Sequence, residues 1–233
     1  MPHTSIAGPI RRRPVRDTNY VTWLGKQRLY SLTRVLKDLG LKPDFSEVNP
    51  AVMRRAACRG KLVEDYAYRM LEYRRGVTVR ARHCGSLQPD VKLRVEAFYR
   101  WMQAYNPQFV DAQTYVWSEH DRVSWKRDLR VIIRGALWLI DIKCTSKQEK
   151  DWPLQLGCGL AYDENGCDQA AILHLNPKYK TGYRFIHDWN ARQLKDWWYR
   201  TIDRWHSDYD FNKLRAELGY ESEARGFEIE EDE

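Results

Sequence analysis

Three charged side chains near the middle of the chain have the types and spacing that metal-assisted phosphodiester hydrolysis requires. Asp128 begins the segment DLRVII, and Asp141 and Lys143 end the segment ALWLIDIK, with an Arg-Gly turn at 134–135 between the two segments. Side chains alternate along a strand, so Asp141 and Lys143 share a face, and pairing about the turn brings Asp128 opposite Asp141. Two carboxylates can bind Mg²⁺, while the adjacent lysine orients or deprotonates a water or stabilises charge developing on a phosphate.

The same Asp-x-Lys pattern has a simpler interpretation, because such a pair at the end of a strand is often a surface ion pair. The wider spacing favours a catalytic site. Asp128 precedes Asp141 by thirteen residues, and Gln155 follows Lys143 by twelve residues, at the start of the next predicted helix. We therefore interpret these four residues as one candidate catalytic group.

The surrounding sequence predicts a sheet that holds this group between helices. Residues 111–144 are rich in β-branched and aromatic residues and contain the predicted hairpin, and two further strands follow at AAILHL and GYRFIHDW. Helical periodicity and capping residues predict helices over 32–39, 49–76 (one helix or two), 91–105, 150–162 and 189–217. This order predicts one mixed α/β domain over residues 21–220, with a central mixed sheet flanked by helices.

The charge of the chain is unevenly distributed. The net charge is +7, but residues 1–20 carry +3, residues 221–233 carry −6 and the rest carries +10. We predict a flexible basic arm over 1–20 and a disordered acidic tail over 221–233. The basic body is typical of a protein with a polyanion partner, most simply a nucleic acid. A solvated, arginine-rich surface explains the same charge, so composition alone leaves both interpretations open.

Composition and motifs argue against several classes of protein. A hydrophobic fraction of 43% with ten Trp and fourteen Tyr is typical of a globular chain, and no apolar run reaches the length that spans a bilayer. The N-terminal residues lack the apolar core of a signal peptide. Five cysteines without a CxxC motif indicate reduced thiols. We expect a soluble, cytoplasmic protein with no membrane partner.

The order of the motifs resembles the PD-(D/E)xK nucleases, and within that superfamily the RecB-like branch common in phage genomes. IDIK matches the (D/E)xK element, RLYSLTRVLKDLGL resembles the first helix of phage members, and AACRGKLVEDY resembles the family helix that follows. AILHLNPKYKTGYRF resembles the strand pair that closes the family sheet. The resemblance covers residues 28–205 and implies a restriction-endonuclease-like α/β core whose hairpin carries the acids and the lysine.

The resemblance also implies roles for individual residues. Asp128 matches the first acid of the family, and Asp141 and Lys143 match the (D/E)xK element. Gln155 matches the glutamine that holds the lysine or the DNA. Asp128, Asp141 and the carbonyl group of Ile142 are then ligands of Mg²⁺ or Mn²⁺.

Two positions depart from the family pattern near the expected metal. The helix that usually supplies a histidine ligand has Glu64 instead, and glutamate suits Mg²⁺ better than imidazole does. Glu64 is therefore either a third carboxylate ligand or a solvated helix residue. The branch usually has a tyrosine four residues after the glutamine, where this chain has Gly159, with Tyr162 nearby.

Four residues are candidates for contact with DNA. Lys126 and Arg127 replace the Gly-Thr pair that usually precedes the first acid, and two cations there could contact phosphate or only solubilise a rim. Gln113 is the nearest match to a family glutamate on the strand before the hairpin. Arg59 lies in AACRGKLVEDY, the segment that resembles a helix of the family.

The resemblance implies a Mg²⁺- or Mn²⁺-dependent deoxyribonuclease that contacts the DNA backbone with little sequence specificity. We favour an exonuclease that acts from DNA ends in phage recombination or replication. A structure-selective endonuclease stays open, and so does a catalytically impaired nuclease fold that binds DNA as a scaffold. Association as a homo-oligomer or with a phage recombination partner also stays open.

Overall fold

The computed structural model describes residues 15–16, 22–42, 45, 47–74, 76, 88–164 and 166–217. The strands in this part of the chain are β1 (Val15–Arg16), β2 (Thr22–Leu24), β3 (Gln27–Ser31), β4 (Gln108–Ser118), β5 (Val123–Ile133), β6 (Ala136–Lys143), β7 (Gln169–Leu175) and β8 (Tyr183–Ile186). The helices are α1 (Leu32–Asp38), α2 (Pro50–Arg74), α3 (Pro89–Tyr105), α4 (Trp152–Ala161) and α5 (Ala191–Glu217). Most of the predicted basic arm and the whole predicted acidic tail lie outside the described residues. Within the arm, Val15–Arg16 pairs antiparallel with β2.

The strands form one mixed sheet in the order β1-β2-β3-β5-β6-β7-β8, and β4 also pairs with β5. The pairs β3–β5 and β6–β7 are parallel, and the other neighbouring pairs are antiparallel. The predicted hairpin joins β5 to β6 through Arg134 and Gly135, whose φ angles are 51° and 82°. Two consecutive positive φ angles match the tight hairpin turns that follow the twist of the strands. This hairpin fixes the register of the candidate catalytic group.

Helices cover both faces of the sheet. On one face, α2 and α3 pack through Val63, Phe98 and Trp101 against Leu129 and Ile140 of the hairpin. On the other face lie α1, α4 and α5, because the neighbouring strand residue Leu139 packs on α4 and α5 instead. The predicted mixed α/β fold with a mixed central sheet flanked by helices is confirmed.

The apolar residues that recur with helical periodicity in the predicted helices are buried. The stripe of α5 packs into the core through Leu194, Trp198, Ile202 and Trp205. Ser31 caps α1 by accepting a hydrogen bond from the backbone N–H of Arg34. The region predicted as one helix or two is the single helix α2. Among the described residues, no helix combines the length and apolar character needed to cross a membrane.

Two glycines of α4 allow this helix to approach its neighbours closely. A Cβ atom at Gly157 would overlap the backbone carbonyl oxygen of Leu194 in α5. A Cβ atom at Gly159 would overlap the ring of Trp125 and the side chain of Leu139 in the sheet. The space that a tyrosine at position 159 would need is therefore filled by Trp125. A tyrosine at position 159 and this packing cannot coexist.

We expect Gly157→Ala to destabilise the protein by about 3 kcal/mol, because the overlap is with rigid backbone and α5 must move to relieve it. Chemical denaturation measures the change. Gly60→Ala is the matched control, since a Cβ atom there meets nothing within 4 Å. Unfolding free energies within about 0.5 kcal/mol of each other for the wild type and Gly157→Ala would contradict the packing described here.

Candidate active site

Asp128 lies where β5 parts from β6. The two strands pair as far as Leu129 and Ile140, and beyond this pair β5 pairs with β3 instead. We call the gap that opens between β5 and β6 the strand fork. Asp128 Oδ2 accepts a 2.8 Å hydrogen bond from the backbone N–H of Ile142 across this gap. Because the N–H and C=O of one strand residue face the same neighbour, the Ile142 carbonyl also points into the fork.

Lys143 links the fork to helix α4. Its Nζ atom lies 2.6 Å from Asp141 Oδ2 and donates a 2.6 Å hydrogen bond to Gln155 Oε1. Strand alternation places Asp141 and Lys143 on the face that α4 covers, so Gln155 can reach the lysine from the helix. Asp141 is only 3% exposed, and its ion pair with Lys143 compensates the burial of its charge. The structure therefore brings these three predicted residues together.

The charges in the fork shift the pKa values of its members. Burial, followed by the negative charges of Asp141 and Glu64, raises the pKa of Asp128 well above its ordinary value. Burial and the charge of Asp141 also raise the pKa of Glu64. Burial lowers the pKa of Lys143, but the carboxylates of Asp141 and Asp128 outweigh it and leave the pKa raised. Lys143 is thus an ammonium at neutral pH, which favours charge stabilisation over proton abstraction.

The fork offers oxygen ligands that suit a divalent cation. Burial and then the repulsion of Asp141 and Glu64 raise the pKa of Asp128, and a bound cation would relieve that repulsion. The buried Oδ2 atom of Asp141 has no hydrogen bond of standard geometry. Mg²⁺ commonly takes one or two carboxylates, with waters and substrate phosphate as its other ligands. Asp128, Asp141 and the Ile142 carbonyl fit that requirement.

Glu64 does not complete a three-carboxylate set as the side chains stand. Within the described residues, no group of three His, Cys, Asp or Glu side chains lies close enough together to hold a metal ion. Glu64 lies on α2 and is partly buried, near enough to Asp141 for that charge to raise its pKa. It therefore adds to the negative potential of the fork.

The adjacent cations Lys126 and Arg127 have different environments. Lys126 is exposed on β5. Arg127 is 5% exposed, and its guanidinium lies 3.0 Å from Asp163 and 3.3 Å from Asp111. Arg130 pairs with the same two carboxylates. Arg127 therefore belongs to an internal ion-pair cluster, and a contact between Arg127 and DNA stays a prediction.

The other two candidates for DNA contact are also tied into the fold. Arg59 on α2 forms a 3.1 Å ion pair with Asp90 on α3. Gln113 lies in β4 between Ala112 and Thr114, whose pairing partners flank Asp128 in β5. Its φ angle of 55° is one that few residues other than glycine adopt. Gln113, Arg127 and Asp163 line a cavity of about 430 Å³ beside β4. Gln113 thus adjoins the fork through the backbone of Asp128.

Two residues near the fork were not singled out from the sequence. Asp151 is 1% exposed, and its Oδ2 atom accepts a 2.7 Å hydrogen bond from Gln155 Nε2. Lys42 Nζ lies 3.1 Å from the same oxygen. The spacing of Asp151 and Gln155, four residues apart at the start of a helix, could have indicated the first contact. Lys42 lies more than a hundred positions earlier, and no local pattern indicates its contact.

No protein-family model matches the sequence, and no curated protein matches it. Among solved structures, the chain is similar to LHK-Exo in complex with dAMP, with a TM-score of 0.44 and 10% identity over 82% of this chain and 93% of that chain. It is also similar to an alkaline exonuclease (LHK-Exo) from Laribacter hongkongensis, with a TM-score of 0.38 and 12% identity over 82% of this chain and 94% of that chain. With TM-scores below 0.5, these likenesses carry no information about the activity of this chain.

Proposed function

We propose that the protein is a divalent-metal-dependent deoxyribonuclease of the PD-(D/E)xK type, with a restriction-endonuclease-like core. One observation carries the proposal: Lys143 is held between Asp141 and Gln155 beside a second carboxylate, Asp128, at the strand fork. Two carboxylates and a fixed ammonium in one partly buried site are suited to cleaving a phosphodiester bond.

In this proposal, Asp128, Asp141 and the Ile142 carbonyl would hold Mg²⁺ or Mn²⁺. When bound, the metal polarises the scissile phosphate and lowers the pKa of a bound water. The ammonium of Lys143 stabilises the negative charge that develops on the phosphate. Gln155 fixes the direction of that ammonium, so little reorganisation is needed during the reaction. Glu64 is a further carboxylate beside this set.

We further propose that the protein is an exonuclease that acts from DNA ends in phage recombination or replication. The motif order that resembles RecB-like phage nucleases supports this finer assignment. The +10 charge of the central part of the chain supports contacts with the DNA backbone that do not read sequence. Activity at limiting protein is then expected to fall steeply as salt rises.

The proposal is tested with the full chain and labelled DNA in Mg²⁺, Mn²⁺ or EDTA. We expect linear DNA to be degraded in either metal and left intact in EDTA, with covalently closed circles spared. Cleavage of closed circles would make the protein a structure-selective endonuclease instead. Tight DNA binding without cleavage in either metal would support an impaired nuclease fold that binds DNA as a scaffold.

Neighbouring substitutions at Lys126 and Arg127 are expected to have different effects. Lys126→Ala should weaken DNA binding similarly for all sequences and reduce the slope of log K against log salt by about one. Arg127→Ala should lower the unfolding free energy by about 3 kcal/mol, because it breaks a buried ion-pair cluster. Salt titrations by fluorescence anisotropy and urea unfolding measure the two effects. If both variants are stable and lose DNA affinity equally, Arg127 contacts DNA and the ion-pair role described here is contradicted.

A further inference from the structure

Asp151 is a buried carboxylate with no part in the reaction proposed above. Its side chain is 0% exposed, and its Oδ1 atom is buried without a hydrogen-bond partner among the described residues. The residue precedes α4, but its side chain makes no capping hydrogen bond to the helix. Burying a carboxylate is costly unless charges and donors compensate it. Capping therefore does not explain why Asp151 is buried in contact with Gln155 and Lys42.

The chemistry of the Gln155 amide supplies that role. A glutamine side chain presents an acceptor oxygen on one side and an NH₂ donor on the other, and the two ends can exchange by rotation. The Lys143 ammonium needs a hydrogen-bond acceptor, whereas the Asp151 carboxylate needs a hydrogen-bond donor. With Nε2 on Asp151 at 2.7 Å and Oε1 on Lys143 at 2.6 Å, both needs are met. The opposite orientation would place two donors against each other at Lys143.

Lys42 is the second group that contacts the Asp151 carboxylate. Its Nζ atom lies 3.1 Å from Asp151 Oδ2 and 3.9 Å from Glu149 Oε2. An ammonium offers only N–H donors, so Asp151 Oδ2 faces donors from both Lys42 and Gln155. One continuous chain of contacts thus ends in the strand fork and runs through Lys42, Asp151, Gln155, Lys143 and Asp141.

We propose that Asp151 and Lys42 are positioning residues, which set the orientation of the Gln155 amide and thereby hold the Lys143 ammonium against Asp141. The effect on catalysis rests on the proposed nuclease function, whereas the effect on the Lys143 ammonium does not. A purely structural link between α4 and the segment around Lys42 would also use these contacts. It would not depend on which group donates and which accepts.

Reversing the donor and the acceptor separates these two roles. In Asp151→Asn, the Gln155 amide can turn its NH₂ group towards Lys143, and in Gln155→Glu two carboxylates face each other. In the double variant, the new asparagine donates to the new glutamate, which still accepts from Lys143, and the total charge is unchanged. We expect each single substitution to lower kcat by about 10- to 100-fold, with KM for DNA changed less than about twofold. The double variant should recover to within about fivefold of the wild type.

Lys42 is tested by a matched series. Lys42→Met should lower kcat by about tenfold, and Lys42→Arg should retain most of the activity because the charge remains. Lys92→Met is the control, since Lys92 forms a 3.9 Å surface ion pair with Glu96 on α3. Wild-type kcat in both Asp151→Asn and Lys42→Met would overturn the inference. A double variant no more active than either single variant would overturn it too.

A measurement without DNA keeps the inference separate from the proposed function. The ammonium of Lys143, fixed by two partners, should give a slowly exchanging ¹⁵Nζ signal in NMR spectra of the full chain, assigned by its loss in Lys143→Met. We expect this signal to shift or broaden in Asp151→Asn and to return in the double variant. If the wild type cleaves no DNA, the proposed function fails, and this signal still decides the positioning role. An absent wild-type signal, or one unchanged in Asp151→Asn, would overturn the inference.

Discussion

Asp141→Asn is expected to lower the rate of DNA hydrolysis by about 10³-fold, the largest loss for any single substitution at the fork. The substitution keeps the shape of the side chain but removes a negative charge with two roles. Asp141 is a proposed metal ligand, and its Oδ2 atom lies 2.6 Å from Lys143 Nζ. The substitution therefore weakens the binding of the metal ion and removes the contact that holds the Lys143 ammonium.

Single-turnover cleavage in Mg²⁺, with DNA binding and thermal unfolding measured in parallel, tests this expectation. Asp208→Asn is the matched control, because Asp208 pairs with Arg204 on an exposed face of α5. Glu64→Gln should cost less than about tenfold, since Glu64 belongs to no three-ligand group among the described residues. A loss at Glu64 as large as the loss at Asp141 would make Glu64 a metal ligand. Near wild-type cleavage by Asp141→Asn would exclude Asp141 from the reaction.

Lys143→Met is expected to lower the single-turnover rate by about 10²- to 10³-fold while leaving DNA binding within a few-fold of the wild type. Methionine keeps much of the length of the side chain but carries no charge. The raised pKa of Lys143 means that the wild-type group is an ammonium, so the lost interaction is with charge on the phosphate. Cleavage by Lys143→Met should therefore not recover at high pH, where hydroxide can replace a missing general base but not a missing positive charge.

The two variants should differ in metal binding, which separates their roles. Asp141→Asn removes a proposed ligand and should weaken the binding of Mn²⁺ at least about tenfold. Lys143→Met removes the positive charge beside Asp141 and should bind Mn²⁺ at least as tightly as the wild type. Titration of Mn²⁺ by electron paramagnetic resonance measures both. Equal weakening in the two variants would show that Lys143 only supports the fold of the site.

The hairpin and its charged end could be predicted from the sequence because their determinants are local. Alternation along β6 places Asp141 and Lys143 on one face, and the turn at 134–135 aligns the two strands. Gln155, which the family resemblance implies holds the lysine or the DNA, contacts Lys143, since the helix follows the strand after a short connection. The mixed sheet and the buried stripe of α5 followed from the same periodic patterns.

Contacts between distant parts of the chain could not be predicted. Arg127 next to Lys126 looks like part of a basic surface, yet Asp111 and Asp163 pair with it from β4 and from the segment after α4. Lys42 reaches Asp151 in the same way. Side-chain pairing across a sheet depends on register and on loop paths, which local propensity does not determine.

The departure at Gly159 shows a similar limit. In the sequence, Gly159 is a departure from the pattern of the family that the chain resembles. The structure gives a packing reason, because the ring of Trp125 fills the space that a side chain at 159 would need. Tyr162 does not replace it, since its hydroxyl donates a 2.7 Å hydrogen bond to Asp121. A residue that departs from a motif can therefore have a packing role that the sequence does not reveal.

Single-turnover cleavage of an end-labelled linear duplex in Mg²⁺, by the wild type and by Lys143→Met at matched DNA occupancy, tests the central claim most directly. The proposed function predicts rapid cleavage by the wild type that EDTA abolishes, and a rate about 10²- to 10³-fold lower for Lys143→Met. Full DNA occupancy with no cleavage by the wild type in either Mg²⁺ or Mn²⁺, or equal rates for the two proteins, would contradict it.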